Sequence, residues 1–499
     1  MGIVVYNTLN ARKEEFKEIH PGEVRMYVCG PTVYDDSHIG HGRAAVVFDV
    51  IYRYLKFRGL RVTYVRNYTD VDDKIINRAN QDGVPASEIA ERYIKSYEQD
   101  MEGLKVAKPD HTPKVSEHIP EIIATIQTLI DKGFAYVSGN DVYYSVRKFH
   151  GYGKLSKRAL DEMEAGARVE INEDKEDPLD FALWKGAKPN EPNWDSPWGK
   201  GRPGWHIECS AMSSKYLGNP FDIHGGGKDL IFPHHENEIA QSEAAYEKKM
   251  VNYWLHNGFV QINQEKMSKS IGNILLIRDL LKRYHPEVVR YFYASAHWRS
   301  PIDFSEDNLL QAEETLWRFY QALRRIEKLG SAEAKPLEGN PLSEKLSKLE
   351  SEFIEAMNDD FNTAKVTGIF NDFLRLLNQH LDLPKLSKDP AGMSLLQQSR
   401  KELARLGEIL GIFQEPPADY IEQAKIKALE IVGIQPGEIA EKIQERAKAR
   451  AEKNFQKADS IRAGLADQGI LLEDSREGTV WNLDLKQVHR KLQSPGGGK

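Results

Sequence analysis

Residues 23–66 constrain the fold more than any other stretch of this 499-residue chain. Glu23-Val-Arg-Met-Tyr-Val28 reads as a short buried strand running into Cys29-Gly30-Pro31, a turn signal. A polar loop leads to Gly40-His41-Gly42. From Arg43 to Phe57 the apolar residues Val46, Val47, Val50, Ile51, Tyr54 and Leu55 recur near 3.6 spacing, which predicts a helix that Gly59 caps. Arg61-Val-Thr-Tyr-Val-Arg66 is a second strand. Strand, glycine-containing turn, helix and strand form a βαβ unit, and such a unit requires a parallel sheet with a right-handed crossover. Open parallel sheets bind ligands beyond the carboxyl ends of their strands, where the loop from Cys29 to His41 lies.

The rest of the chain arranges itself around that unit. Residues 84–135 read as helical. From 138 to 205 the pattern is irregular, with glycines, prolines and Trp184, Trp194, Trp198 and Trp205, which suits an insertion interrupting the sheet domain. Strand-like runs return at Phe221-Asp-Ile-His224 and Trp254-Leu-His256. From Ser305 onward helical periodicity dominates, for example at Phe353, Met357, Phe361 and Ala364, with breaks at 330–342, 383–392 and 411–417. No internal repeat is present.

Composition narrows the class. With 40% hydrophobic, 29% charged and 9% aromatic residues the chain is not a disordered one. Only Cys29 and Cys209 are available for disulfides, so no disulfide framework organises the fold. The pair leaves three readings: two buried thiols, one bridge, or two ligands of one metal. The N-terminus lacks a basic, apolar leader, and Tyr6 stands where a myristoylation signal wants Ser or Thr. No apolar run could span a bilayer, so a cytoplasmic protein is expected. The net charge of −7 excludes a generic nucleic-acid coat. Between Lys442 and Arg462, however, seven basic residues face three acidic ones, an island of +4. On one continuous helix Arg446, Arg450, Lys453 and Lys457 would share a face.

Three clusters could carry chemistry. His38-Ile-Gly-His41 precedes the first helix, where backbone amides, the helix dipole and two imidazoles favour a phosphate; the bland alternative is a pair of loop histidines. Lys266-Met-Ser-Lys-Ser270 places two lysines three apart in a small-residue loop that could clamp a polyphosphate, or be no more than a solvated loop. In Phe232-Pro-His-His-Glu-Asn-Glu238, His234 and Glu238 stand i and i+4 on one helix face. With Cys29 and Cys209 they make a plausible tetrahedral zinc set, although each member alone could be an ordinary buried or surface residue.

Together these motifs resemble a class I aminoacyl-tRNA synthetase. His38-Ile-Gly-His41 and Lys266-Met-Ser-Lys-Ser270 match the two signatures of that class, in order and about 225 residues apart. The chain resembles the cysteinyl-tRNA synthetase family in particular. That likeness rests on Met26-Tyr-Val-Cys-Gly-Pro31, Asn67-Tyr-Thr-Asp-Val-Asp-Asp73, Gly204-Trp-His-Ile-Glu-Cys209, Asp222-Ile-His-Gly-Gly-Gly-Lys-Asp229 and His234-His-Glu-Asn-Glu238. Asp359-Asp-Phe-Asn-Thr363 and the stretch from Arg450 to Asp459 add to it. The likeness runs from about residue 6 to 482.

The resemblance implies an α/β protein: a Rossmann-like parallel-sheet catalytic domain (1–310) with an insertion at about 115–225, then a helical domain (311–415). A small basic anticodon-binding module (416–482) and a tail (483–499) would follow. It implies one zinc ion per chain on Cys29, Cys209, His234 and Glu238, which selects the thiolate of L-cysteine over serine, a distinction shape alone makes poorly. It implies ATP and Mg²⁺ at His38, Gly40, His41, Lys266 and Lys269, and an amino-acid pocket with Thr69, Trp205, His224 and Asp229. Arg446, Arg450, Lys453 and Lys457 would contact tRNA, with the chain a monomer away from membranes. Cysteine would be activated as its adenylate and passed to the 2′-OH of the terminal adenosine, and a chain cut after Gln414 would keep the first step and lose the second. Three rivals share much of this: an enzyme joining cysteine to an amino sugar by the same adenylate chemistry, a non-catalytic tRNA-binding paralogue, and a protein whose zinc is purely structural.

Overall fold

The computed structural model describes residues 2–160, 175–189, 191–262, the backbone of 265–266, and residues 274–330, 337, 339–383, 389–475 and 478–493. Four strands form the central sheet: β1 (Glu23–Val28), β2 (Arg61–Arg66), β3 (Phe221–Gly227) and β4 (Val251–Asn257). All are parallel, in the order β4-β3-β1-β2. Both faces are covered, which explains why the strands read as nearly unbroken apolar runs. In β1, Val24, Met26 and Val28 enter one core with the first helix and the helical domain, while Tyr27 enters a second core with Trp184 and Ile207.

Helix α1 spans Ile39–Phe57 and links β1 to β2. It starts four residues before the periodicity suggests, because His38 itself is the N-cap: its Nδ1 accepts from the amides of Gly40 (3.1 Å) and His41 (3.4 Å). Gly59 ends the turn at φ +82°. The expected helical stretch 84–135 is two helices, Ala86–Gly103 and Ile119–Asp131, joined by an extended segment that bridges to Val65 and Tyr68.

The insertion is a four-stranded antiparallel sheet, in chain order Ala135–Ser138, Asp141–Tyr144, Phe181–Gly186 and Gly201–Pro203. Its last strand delivers helix α2 (Trp205–Leu217), which packs back on the central sheet, so the insertion proper closes at Pro203 and not near 225. Helix α3 (Glu236–Tyr246) follows β3.

The helical domain holds Glu306–Glu327, Pro341–Asn358, Thr363–Leu381 and Pro390–Leu410, each opened by a polar N-cap: Ser305, Asn340, Asn362 and Asp389. The gaps fall at the sequence breaks. Helix Pro417–Val432 belongs to this body and not to a detached module: Tyr420 stacks on Tyr320 at 3.7 Å between ring centroids. A cut after Gln414 would strip that face, so Gly433 is the better boundary.

Beyond it lie helices Pro436–Ala451 and Phe455–Ala466 and a hairpin of Ile470–Ser475 with Gly478–Leu483. The basic island is thus two helices, not one: Lys453 at φ +59° breaks the run. The tail is also corrected. Residues Leu485–Gln493 form a helix whose Leu485 and Val488 are buried, and His489 pairs with Glu313 at 2.7 Å. Residues 494–499 lie outside the described residues. No helix among the described residues is long and apolar enough to cross a membrane.

Candidate active site

A cavity of about 520 Å³ opens over the carboxyl ends of the central strands. Every strand contributes: Cys29 follows β1, Thr69 follows β2, Asp229 follows β3 and Gly258 follows β4, while the N-terminus of α1 forms the floor. The turn after β1 admits only glycine at its second position, because a Cβ on Gly30 would lie 1.6 Å from the Asn67 carbonyl oxygen. Asn67 fixes this turn from the side: its Oδ1 accepts from the Gly30 amide at 2.9 Å.

The His38 and His41 rings stack at 3.7 Å. His38 Nδ1 accepts the two amides already named, and His41 Nδ1 accepts from the His38 amide at 3.4 Å. Two histidines therefore build a reciprocal capping box. An Nδ1 that accepts is unprotonated, so each neutral ring carries its proton on Nε2. The motif thus presents two N–H donors and the positive end of a helix to the same cavity. Gly40 lets a ligand approach the backbone between them.

At the cavity's inner end, atoms of Cys29, Cys209, His234 and Glu238 all lie within 4.8 Å of one another. The two sulfurs are 3.7 Å apart, Cys29 Sγ is 3.6 Å from Glu238 Oε1, and His234 Nε2 is 3.0 Å from the same oxygen. A tetrahedron with zinc–sulfur bonds near 2.3 Å has an edge of about 3.8 Å, so the thiol pair has the right spacing. Burial pushes the Cys29 thiol up, and Cys209 and Glu238 push it further. For Cys209 the contact with Cys29 pulls down, but burial and the two nearby carboxylates win and its thiol is also raised. Thiols crowded in a dry site are disfavoured as thiolates, and a divalent cation reverses that preference. The donor set therefore fits zinc.

The same carboxylate serves a second grouping, Cys29, His224, His235 and Glu238. His224 Nε2 is 2.8 Å from Glu238 Oε2, and His235 Nε2 is 3.3 Å from Cys29 Sγ. His235 Nδ1 meets His256 Nε2 at 2.8 Å, and His256 Nδ1 meets Thr8 Oγ1 at 2.8 Å. On the other side His234 Nδ1 meets His206 Nδ1 at 3.0 Å, which leaves the His234 Nε2 toward Glu238. Such relays fix ring orientation and tautomer behind a metal.

The pocket residues separate. Thr69, Trp205 and Asp229 line the cavity. Trp205 stacks on His234 with ring centroids 4.3 Å apart, and Thr69 Oγ1 donates to the buried Glu208 at 3.1 Å. His224 is fully buried behind Glu238 and stacked on Trp254, and it meets the site through the Glu238 carboxylate. The backbone of Lys266 pairs with Gln261, while Met267 to Ser270, including Lys269, lie outside the described residues. His206, His235 and His256 went unnoticed in the sequence. The histidine doublet at 234–235 and the Trp-His pair at 205–206 were the available signals.

The basic island is only partly available. Arg446 is corrected: it is buried and makes a paired contact with Asp474, 2.8 Å on each nitrogen, so it anchors the hairpin and is not a nucleic-acid contact. Arg450 leans on the same carboxylate at 2.7 Å and Lys457 pairs with Glu445 at 2.9 Å, both still exposed, as is Lys453.

Comparison with known proteins agrees with this geometry. A family model described as the class I (C) tRNA synthetase catalytic domain matches residues 15–314, and a DALR domain matches 352–414. A protein named "Cysteine--tRNA ligase" from Geobacter sp. (strain M21) is 55% identical over 97% of this chain and 100% of its own length. Another so named, from Thermodesulfovibrio yellowstonii, is 51% identical over 96% of this chain and 99% of its own. Among solved structures, a Mycobacterium tuberculosis methionyl-tRNA synthetase with methionyl-adenylate superposes with a TM-score of 0.60 at 15% identity, covering 83% of this chain and 94% of that one. The likeness at that identity is one of fold.

Proposed function

The chain belongs to the cysteine–tRNA ligase family of class I aminoacyl-tRNA synthetases, and we propose that the cavity over its parallel sheet performs both half-reactions. The carboxylate of L-cysteine attacks the α-phosphate of ATP, giving cysteinyl-adenylate and pyrophosphate. The cysteinyl group then passes to the 2′-OH of the terminal adenosine of tRNA. Neither step needs a side-chain nucleophile, so catalysis is positioning and charge stabilisation. The Nε2–H groups of His38 and His41 donate to the phosphates beside the α1 N-terminus. Lys266 and Lys269 neutralise the departing pyrophosphate, and Mg²⁺ bound with ATP would add to that charge stabilisation.

Cys29, Cys209, His234 and Glu238 would hold one zinc ion per chain, which when bound supplies a soft acceptor that takes a thiolate in preference to a hydroxyl. His206, His224, His235 and His256 orient these ligands from behind. Trp205, Thr69 and Asp229 shape the space in which the amino acid sits. Arg450, Lys453 and Lys457 carry the tRNA contact, and the chain acts as a cytoplasmic monomer. Full-length likeness to cysteine–tRNA ligases, through the basic module, supports tRNA over an amino sugar as acceptor.

The observation that carries this reading is the meeting of four zinc-type donors with the reciprocally capped His38/His41 pair at one cavity. Cysteine-dependent ATP–pyrophosphate exchange, with serine as competitor and bound zinc quantified, tests it. Exchange with cysteine alone and one zinc per chain is expected. Equal exchange with serine would overturn the selective role of the site.

A further inference from the structure

A second cavity, of about 700 Å³, lies behind the reaction cavity and has no part in the chemistry above. It is bounded by α1 at Arg53, by the segment Lys105–Thr112, and by the joint at Gly411–Glu415. Its size is that of a small-molecule site. Tyr68, Tyr97, Met101, Val106, Ala107 and Pro109 give it largely apolar and aromatic walls. Tyr68 and Tyr97 meet edge to face at 5.8 Å between centroids.

Four carboxylates, Glu98, Glu102, Glu287 and Glu415, also line it, and its buried cation is Arg66, which is only 4% exposed. The guanidinium donates to Tyr97 Oη at 2.9 Å and to Tyr64 Oη. No carboxylate of a described residue lies within ion-pair distance of it, whereas the buried Arg290 has Asp49 and the buried Arg202 has Asp73 and Glu191; the buried Arg43 also lacks a carboxylate but donates to the main-chain carbonyls of Phe259, Trp298 and Ser300. A desolvated cation with only neutral partners is unfavourable, and an anion would complete it. At the rim Lys108 is likewise without an acidic partner among the described residues, while Lys105 is already paired with Glu415 at 2.9 Å. An anion entering past Lys108 would reach Arg66 with its apolar body against Tyr68, Tyr97 and Met101.

The geometry points to a second ligand site here, for a small aromatic carboxylate whose carboxylate pairs with Arg66. Arg66 and Tyr97 also line the reaction cavity, so the two sites share one wall. A guanidinium suits a carboxylate in bidentate geometry, and the aromatic rings suit a planar apolar body.

The test uses the full chain with benzoate and indole-3-acetate as probes and benzyl alcohol as the uncharged control, read by ligand-observed NMR and titration calorimetry. The reaction cavity is first filled with a non-hydrolysable cysteinyl-adenylate analogue. At least one carboxylate should bind with Kd below about 5 mM, at least tenfold tighter than the alcohol. It should also bind at least tenfold more weakly to Ala107→Phe, which fills the cavity away from the reaction site. Binding weaker than that threshold, equal binding of the alcohol, or loss of binding only when the analogue is present would each overturn the assignment. The analogue control separates this result from the proposed activity, because displacement would place the probe in the reaction cavity.

Discussion

Replacing Asp49 with Asn should loosen the joint that ties the signature helix to the helical domain. Asp49 lies in α1, and its side chain and that of Arg290 are both 0% exposed, with Arg290 Nη2 at 2.6 Å from Asp49 Oδ2. The same carboxylate accepts Arg53 Nε at 3.0 Å and the Ala107 amide at 2.9 Å. Arg290 spends its other donors on the carbonyls of Leu410 (2.8 Å), Leu104 (3.2 Å) and Lys105 (3.3 Å). Burial pulls the guanidinium's pKa down and Asp49 opposes that. Removing one partner of a buried pair costs about 3–5 kcal/mol, because the other charge is stranded. Asparagine keeps one acceptor oxygen, which places D49N near the lower end, about 3 kcal/mol. Arg53 adds little, since its side chain is 25% exposed. A cycle of D49N, R290M and the double variant isolates the pair, read by hydrogen exchange of α1 amides across a urea series. The coupling should be about 2 kcal/mol. A coupling below about 0.5 kcal/mol would show that the joint is held by packing and carbonyl contacts alone.

Other perturbations separate structural from chemical roles. Burial lowers the pKa of His285 to about 4, and its Nδ1 accepts from the Glu287 amide at 3.2 Å. Its neutral form is favoured on folding, so stability is full above the unfolded value near 6.5 and falls as pH drops toward 4. About 2 kcal/mol should be gone by pH 5, and His285→Asn, which keeps the cap, should flatten that slope in urea titrations. His38→Asn should likewise preserve the α1 cap, leaving the urea midpoint within about 0.5 kcal/mol, while pyrophosphate exchange falls about 10²-fold. Unchanged exchange would mean the Nε2–H donors are idle. The Arg446 guanidinium, with Thr479 and Arg450, holds Asp474 well below the usual carboxylate range. That contribution is present above the unfolded value near 3.9 and is lost as pH falls through the folded one. Asp474→Asn should remove the acid-induced step in the near-ultraviolet signal of Trp481.

Periodicity reveals elements whose partners are local. The βαβ unit, the strands at 221 and 251 and the breaks between the bundle helices were all legible, because apolar spacing and glycine or proline punctuation are properties of short windows. His234 and Glu238 were legible as a pair from their i, i+4 spacing, whereas Cys29 and Cys209, 180 positions apart, were tied to them firmly only by resemblance. The histidine relay was not legible. His256 matters because β4 lies beside β3, which sets it near His235 and opposite Thr8, in the turn between the paired strands Val4–Asn7 and Arg12–Glu15. The same holds for His38: a histidine before a helix suggests a phosphate ligand, but only the amide directions show that it is also the cap that fixes its own tautomer.

The basic island shows how net charge in a window overstates what a partner meets. Its +4 is a count over residues that the fold then distributes. Arg446 turns inward because Asp474, on the following hairpin, offers two oxygens to its planar fork, and a buried guanidinium needs such a partner. Arg450 and Lys457 keep their exposure but share it with Asp474 and Glu445, which reduces the field they project. Lys448, Lys453 and Arg462 have no acidic partner among the described residues, and the bend at Lys453 turns the two helices so that these cations no longer follow one stripe. A phosphate backbone passing this module would therefore meet the bend first. Salt-dependent tRNA affinity should flatten most for Lys453→Ala and least for Arg446→Met, whose loss would be felt in folding instead.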